Sequence, residues 1–191
     1  APSASARATG GPTPSSPGAA GPSPGASPPA GFRRVREPAG YSVDVPDSWQ
    51  RDTERDSVFF RADDDDSLIQ IYELTEPGMT PFAAMEETDA YVSAQADEYR
   101  QIRLERVRTD GAAGGDSAES GDTAELEYTH LTQDDTVRHT LVRGFTAANS
   151  VRYALLFAAP DDEWAGHQEI LEVLHTSFCP GEICAAPPHV E

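Results

Sequence analysis

Beyond residue 31 the apolar residues change their period in a set order, two, then three to four, then two, then three to four. That order narrows the fold more than any single motif. Two short strand candidates, 32–37 and 41–46, come first; in the second, Tyr41, Val43 and Val45 alternate with Ser42 and Asp44, the period of a half-buried strand. A turn at Pro46, Asp47, Ser48 and Trp49 follows, with the Trp49 indole expected to cap the core. Candidates 58–61 and 68–74 flank Asp63 to Asp66 and read as a hairpin with an acidic tip. From Pro81 the spacing becomes helical through Phe82, Met85, Val92, Ala96 and Tyr99, with Thr80 as N-cap, Pro81 at the first helical position and Glu86 and Glu87 early in the helix. A strand over 102–108 follows, then strands over 124–132, 136–145 and 151–159, then a helix over 161–178 with Trp164, Leu171, Leu174 and Phe178 on one stripe and Ile170 beside it. A parallel sheet needs strict strand–helix alternation, which is missing. The expectation is an α+β fold, a single antiparallel sheet of about six or seven strands packed with two main helices.

Composition sets the limits of that fold. The first 31 residues hold 8 Pro, 8 Ala, 6 Gly, 6 Ser, 2 Thr and Arg7, with no aromatic, aliphatic or acidic side chain. Such a segment buries too little apolar surface to offset the entropy of ordering it, so 1–31 reads as a disordered spacer. The folded domain is then expected over 32–180, with a mobile Gly-, Ala-, Ser- and Asp-rich loop at 109–123 and a short tail at 181–191. With 33 acidic residues against 14 basic ones, all Arg, the formal charge is -19. A field of that sign argues against nucleic acid and against an anionic membrane surface as partners. The Arg33/Arg34/Arg36 and Arg100/Arg103/Arg106/Arg108 groups are interleaved with acidic or apolar residues and read as solvated faces. No run of 18 apolar residues is present, and without a starting Met or a signal region the chain reads as part of a longer product.

Catalytic patterns are sought and mostly not met. The nearest approach to a nucleophile elbow, Gly115-Asp116-Ser117-Ala118-Glu119, fails at its last residue. The absence of Lys excludes a P-loop and Schiff-base chemistry in this segment. Asp63 to Asp66 lack the every-second-residue spacing, Gly and Glu of an EF-hand loop and read as a solvated turn. Glu172 and His175 have the E-x-x-H spacing, but di-iron bundles need two such motifs and two further Glu. His167 and His175 are placed at the polar margin of the last helix, and His189 in the tail. His130 and His139 are the more informative pair: if the hairpin at Asp134-Asp135 closes with a two- or four-residue loop, they become cross-strand neighbours about 5 Å apart. They are the metal-site candidates, with a pH-sensitive pair as the alternative chemistry and two hydrogen-bonded histidines at a sheet edge as the plain one. No cofactor is implied. Cys179 and Cys184 flank a Pro180-Gly181 turn and are expected to form a disulfide if the domain is exported; C-x-x-C redox spacing and further zinc ligands are both missing.

A resemblance then narrows the reading. Gly31-Phe32-Arg33-Arg34-Val35, Gly40-Tyr41-Ser42-Val43-Asp44-Val45-Pro46-Asp47-Ser48-Trp49 and Val58-Phe59-Phe60-Arg61 resemble the "GF, then GFSVAVPEGW, then VxFR" opening of exported actinobacterial domains of the PsbP/LpqN-like type. Such domains occur at the extracellular C-terminus of membrane serine/threonine protein kinases and in LpqN-type lipoproteins. The likeness extends over nearly all of residues 31–180, the 109–123 segment and the cysteine tail excepted. It implies a PsbP/LpqN-like sheet with helices against it and a binding or accessory role, with no site residues to carry over. The expected function is a non-catalytic extracytoplasmic sensor or interaction domain on a flexible tether, most simply the outer domain of a receptor-type kinase whose catalytic domain lies upstream; the alternative is an LpqN-like lipoprotein or secreted accessory protein. Its membrane attachment would come through an anchor outside this chain. Its partner would be a small ligand, a cell-wall fragment or a protein, met at a groove between the sheet and the Pro81 helix where Trp49 and Tyr91 offer aromatic surface.

Overall fold

The computed structural model describes residues 27–64, 66–107 and 122–181. Most of the 1–31 segment, the 109–123 loop apart from Asp122 and Thr123, Asp65, Cys184 and His189 lie outside the described residues. Strands β1 (Phe32–Glu37) and β2 (Tyr41–Pro46) pair antiparallel around a turn in which Gly40 takes a φ of 89°, a conformation glycine adopts without steric cost. β3 (Gln50–Glu54), β4 (Ser57–Arg61) and β5 (Leu68–Glu73) form a meander. Helix α1 (Pro81–Gln95) follows, capped as its sequence demands: the Thr80 hydroxyl oxygen accepts from the Ala83 N–H at 3.1 Å. A second meander comprises β6 (Asp97–Arg106), β7 (Thr123–Leu131), β8 (Val137–Thr146) and β9 (Arg152–Pro160). One 3₁₀ turn (Trp164–His167) leads into α2 (Gln168–Ser177) and the two-residue β10 (Cys179–Pro180).

The α+β class and the antiparallel pairing stand, whereas the single sheet is corrected. The described residues form two sheets, one of three strands in the order β1-β2-β10 and one of seven in the order β3-β4-β5-β9-β8-β7-β6. The Pro46–Trp49 turn, closed by the Trp49 N–H donating to the Pro46 carbonyl at 3.2 Å, ends the first hairpin. Both ladder edges of β2 are taken, by β1 and by Cys179–Pro180, so β3 starts a separate sheet against β4. Thr123, expected in the loop, is the first residue of β7, and the expected helix over 161–178 is a 3₁₀ turn followed by an α-helix.

Alternation divides the large sheet's side chains between two cores. On one face α1 lays Ala84 and Met85 over Ala124, Leu126, Tyr128, Val142 and Ala154. It comes so close at β8 that a Cβ on Gly144 would stand 3.2 Å from Met85 Cε and 3.4 Å from the Pro81 carbonyl oxygen. On the other face Leu141, Leu155 and Phe157 meet Val43 and Val45 of β2 and Leu171 and Leu174 of α2. Phe178 closes that core with its ring 5.1 Å from Tyr41 and 5.0 Å from Tyr153. No helix among the described residues is long and apolar enough to cross a membrane.

Candidate functional site

The face shared with α2 turns polar toward β6, and there the sheet registers bring opposite charges together. Glu127 of β7 lies opposite Arg103 of β6, and Glu125 lies opposite Arg143 of β8. Arg103 donates to Glu127 Oε2 at 2.9 Å and to Glu125 Oε2 at 3.0 Å, while the Arg143 Nε donates to Glu125 Oε1 at 2.6 Å. Glu127 Oε1 then meets His139 Nε2 at 2.9 Å, and His139 Nδ1 meets Asp161 Oδ1 at 2.8 Å. A chain of six charged or titratable side chains thus runs from β6 across β7 and β8 to the turn after β9.

His139 is its pivot. The imidazole is buried and lies parallel to the Trp164 indole, with ring centroids 3.8 Å apart and planes 2° from parallel. Trp164 rests in turn on Phe157 of the core at 5.5 Å. Both ring nitrogens are thus taken up by carboxylate oxygens, one from β7 and one from the turn after β9. The contacts therefore clasp the 3₁₀ turn onto the sheet. The carboxylates are held by these partners, so this arrangement fixes β6, β7, β8 and the turn after β9 to one another.

Below the clasp, Thr123, Arg143, Phe145, Leu155 and Phe178 line a cavity of about 200 Å³ into which α2 brings His175. Burial, with Arg143 and Arg103 adding to it, pushes the His175 imidazole down to about 3, so the ring is neutral at physiological pH. Its Nε2 is buried without a hydrogen-bond partner among the described residues. Glu172, three residues earlier, is exposed and does not join it, so the E-x-x-H spacing builds no site.

The expected pairing of His130 with His139 is corrected by one residue of register. Thr129 is the residue opposite His139, and His130 lies opposite Arg138. The hairpin closes between Thr132 and Thr136, whose backbone bond is 2.9 Å long, leaving the three-residue loop Gln133-Asp134-Asp135 with Asp135 at a left-handed φ of 58°. An odd-length loop sends the two imidazoles to opposite faces. His130 lies on the α1 side, 5.8 Å from the Tyr128 ring, with burial and Arg138 lowering its pKa. No group of three or more His, Cys, Asp or Glu among the described residues is arranged to hold a metal.

Trp49 and Tyr91 share no groove. Trp49 is buried and stacked on Phe157 in the core beside α2, whereas Tyr91 is 67% exposed on α1 across the sheet. Tyr91 instead borders an open groove of about 400 Å³ with Val92, Gln95, His130 and Gln133. The arginines read as solvated faces are largely engaged: Arg34 binds Asp44 through two bonds of 2.7 and 2.9 Å, Arg33 donates to the Trp49 carbonyl at 2.7 Å, and Arg106 pairs with Asp122 at 2.7 Å. The acidic tip is a tight turn in which Asp64 Oδ1 accepts from the Asp66 N–H at 3.2 Å.

With this geometry in hand, comparison with known proteins identifies relatives. The family model described as serine/threonine kinase C-terminal domain matches residues 33–180. The solution structure of cyanobacterial PsbP (CyanoP) from Synechocystis sp. PCC 6803 superposes with a TM-score of 0.59 at 19% identity, covering 83% of this chain and 98% of that one. The Ran-binding protein Mog1p of Saccharomyces cerevisiae superposes at 0.53 and 8% identity, over 81% of this chain and 98% of its own. LpqN of Mycobacterium tuberculosis, involved in cell envelope biogenesis, gives 0.42 at 13% identity, with 78% and 89% covered. No curated protein matches the chain. CyanoP and Mog1p share the fold at these identities, so the PsbP-like fold and the kinase C-terminal association noted in the sequence are both returned by these comparisons.

Proposed function

Because the chain belongs to the serine/threonine kinase C-terminal domain family, we propose that it is the non-catalytic sensor or interaction domain of a receptor-type kinase, held outside the cytoplasmic membrane. The match over residues 33–180 carries this reading, since it begins where the Pro-, Ala-, Ser- and Gly-rich segment ends. A segment of that composition is the spacer that would hold a domain clear of a membrane or cell wall. A disulfide between Cys179 and Cys184 would suit an oxidising compartment. The surface of net charge -19 would favour cationic or mixed-charge partners over nucleic acid.

The test is removal of residues 33–180 from the parent kinase. Autophosphorylation of the purified catalytic domain should be unchanged, while the response of the membrane-embedded kinase to its growth conditions should be lost. Loss of intrinsic activity in the isolated catalytic domain of the deletion protein would contradict an accessory role.

A further inference from the structure

A further cleft, at the β1–β2 and β3–β4 turns, has the features of a binding site. It has a volume of about 500 Å³ and opens between the β1–β2 turn at Ala39 and the β3–β4 turn at Arg55 and Asp56. Ala39, Val58 and Ile71 supply apolar wall, and Tyr41, Ser57 and Glu73 supply polar groups. That volume lies within the range of small-ligand sites.

Three observations single it out. Tyr41 is 5% exposed, and its hydroxyl is buried without a hydrogen-bond partner among the described residues, an arrangement that native proteins seldom leave uncompensated. Burial, reinforced by Glu37, pushes its phenol up, so the group is a donor at neutral pH and calls for an acceptor. Glu37 itself is committed to Arg51, which grips both its carboxylate oxygens at 2.8 Å. Second, Arg55 holds a left-handed φ of 53°, where a glycine or asparagine would be unstrained, and this two-residue turn sets a guanidinium beside a carboxylate at the mouth. Third, none of Arg55, Asp56 and Glu73 makes an ion pair among the described residues, although the mouth carries both signs of charge.

We propose that this cleft binds a small zwitterion with an apolar body, a free amino acid or a dipeptide. The carboxylate accepts from Arg55 and the Tyr41 hydroxyl, the ammonium lies against Glu73 and Asp56, and the side chain packs on Val58 and Ile71. A purely anionic ligand would meet two uncompensated carboxylates, and a purely cationic one would leave Arg55 and Tyr41 without an acceptor. The proposal deepens the sensor reading and rests on it for the expectation of a small ligand.

The test is titration of the ¹⁵N-labelled 191-residue chain, followed by amide shifts, with L-alanine, D-alanine and L-alanyl-L-alanine. Acetate and ethylammonium serve as single-charge controls, and glucose as a neutral one. Saturable shifts at Arg55, Ser57 and Glu73 by a zwitterion, weakened roughly ten-fold or more by Arg55→Gln, Glu73→Gln and Tyr41→Phe and in the single-charge controls, are the expected result. No saturable shift up to about 10 mM, binding indifferent to all three substitutions, or preference for glucose or a single-charge control would overturn it. Zwitterion binding by a domain found inside the cell would instead sink the sensor reading while leaving the cleft assignment standing.

Discussion

Replacing His139 by leucine tests whether the clasp holds the 3₁₀ turn to the sheet. Leucine keeps an apolar body against Trp164 and leaves little void, so the loss is chiefly polar. The bond to Glu127 is charge-assisted, and the Glu127 side chain is only 14% exposed, so losing it costs about 1.5–3 kcal/mol even though Arg103 remains as a partner. The Asp161 side chain is 49% exposed and turns to water, so that half adds only about 0.5 kcal/mol. Loss of the parallel stack on Trp164 adds about 0.5–1 kcal/mol. The expected destabilisation is about 3 kcal/mol, or a melting point lowered by about 6–12 °C for a domain of this size. Urea unfolding followed by tryptophan fluorescence and by far-UV circular dichroism measures it. A double-mutant cycle with Glu127→Gln should return a coupling of about 1 kcal/mol or more. A loss below about 0.5 kcal/mol, or strictly additive effects, would refute the clasp.

Other consequences are as direct. His175 has a folded-state pKa near 3 against an ordinary value of 6.5, so the unfolded chain binds its proton first on acidification. Stability from this group is therefore complete above pH 6.5 and lost as pH falls toward 3, by about 2–3 kcal/mol between pH 6.5 and 4.5. The difference between the wild-type and His175→Leu unfolding curves across that window should show this slope, and parallel curves would count against it. Gly144→Ala should lower stability by about 1 kcal/mol, because the new methyl meets Met85 Cε and the Pro81 backbone; an unchanged melting point would mean that α1 is not seated there. Thiol titration of the denatured, unreduced chain should find no free sulfhydryl, and two reactive thiols would remove the expected Cys179–Cys184 bridge.

Most strands were legible because their alternation reports a real division of environment. In β7 and β8, Leu126, Tyr128 and Val142 belong to the α1 core, whereas Leu141 faces α2, and any reading of period two finds these strands. β3 was not legible. Gln50–Glu54 is exposed at every position, so this edge strand carries no apolar signal and is specified by its ladder with β4. The number of sheets was hidden as well, because alternation says that a residue is in a strand and not which strand it pairs with. The His130–His139 register failed for a local reason: Asp135 accepts a left-handed backbone without being glycine, which allows an odd loop where an even one was assumed. His139 stands out in the sequence, but its neighbour there does not. Its actual partners, Glu127 and Asp161, and the further links Arg103, Glu125 and Arg143, read as ordinary solvated charges until the strands are in register. The available signal was complementary sign at alternate positions, Glu125 and Glu127 against His139 and Arg143.

Display outside the membrane can be read from protease accessibility in intact cells. A parent kinase tagged after residue 180 should lose its tag and the domain to a non-permeant protease added outside cells freed of wall, while a cytoplasmic marker survives. A domain protected until the membrane is broken would contradict the extracytoplasmic reading outright.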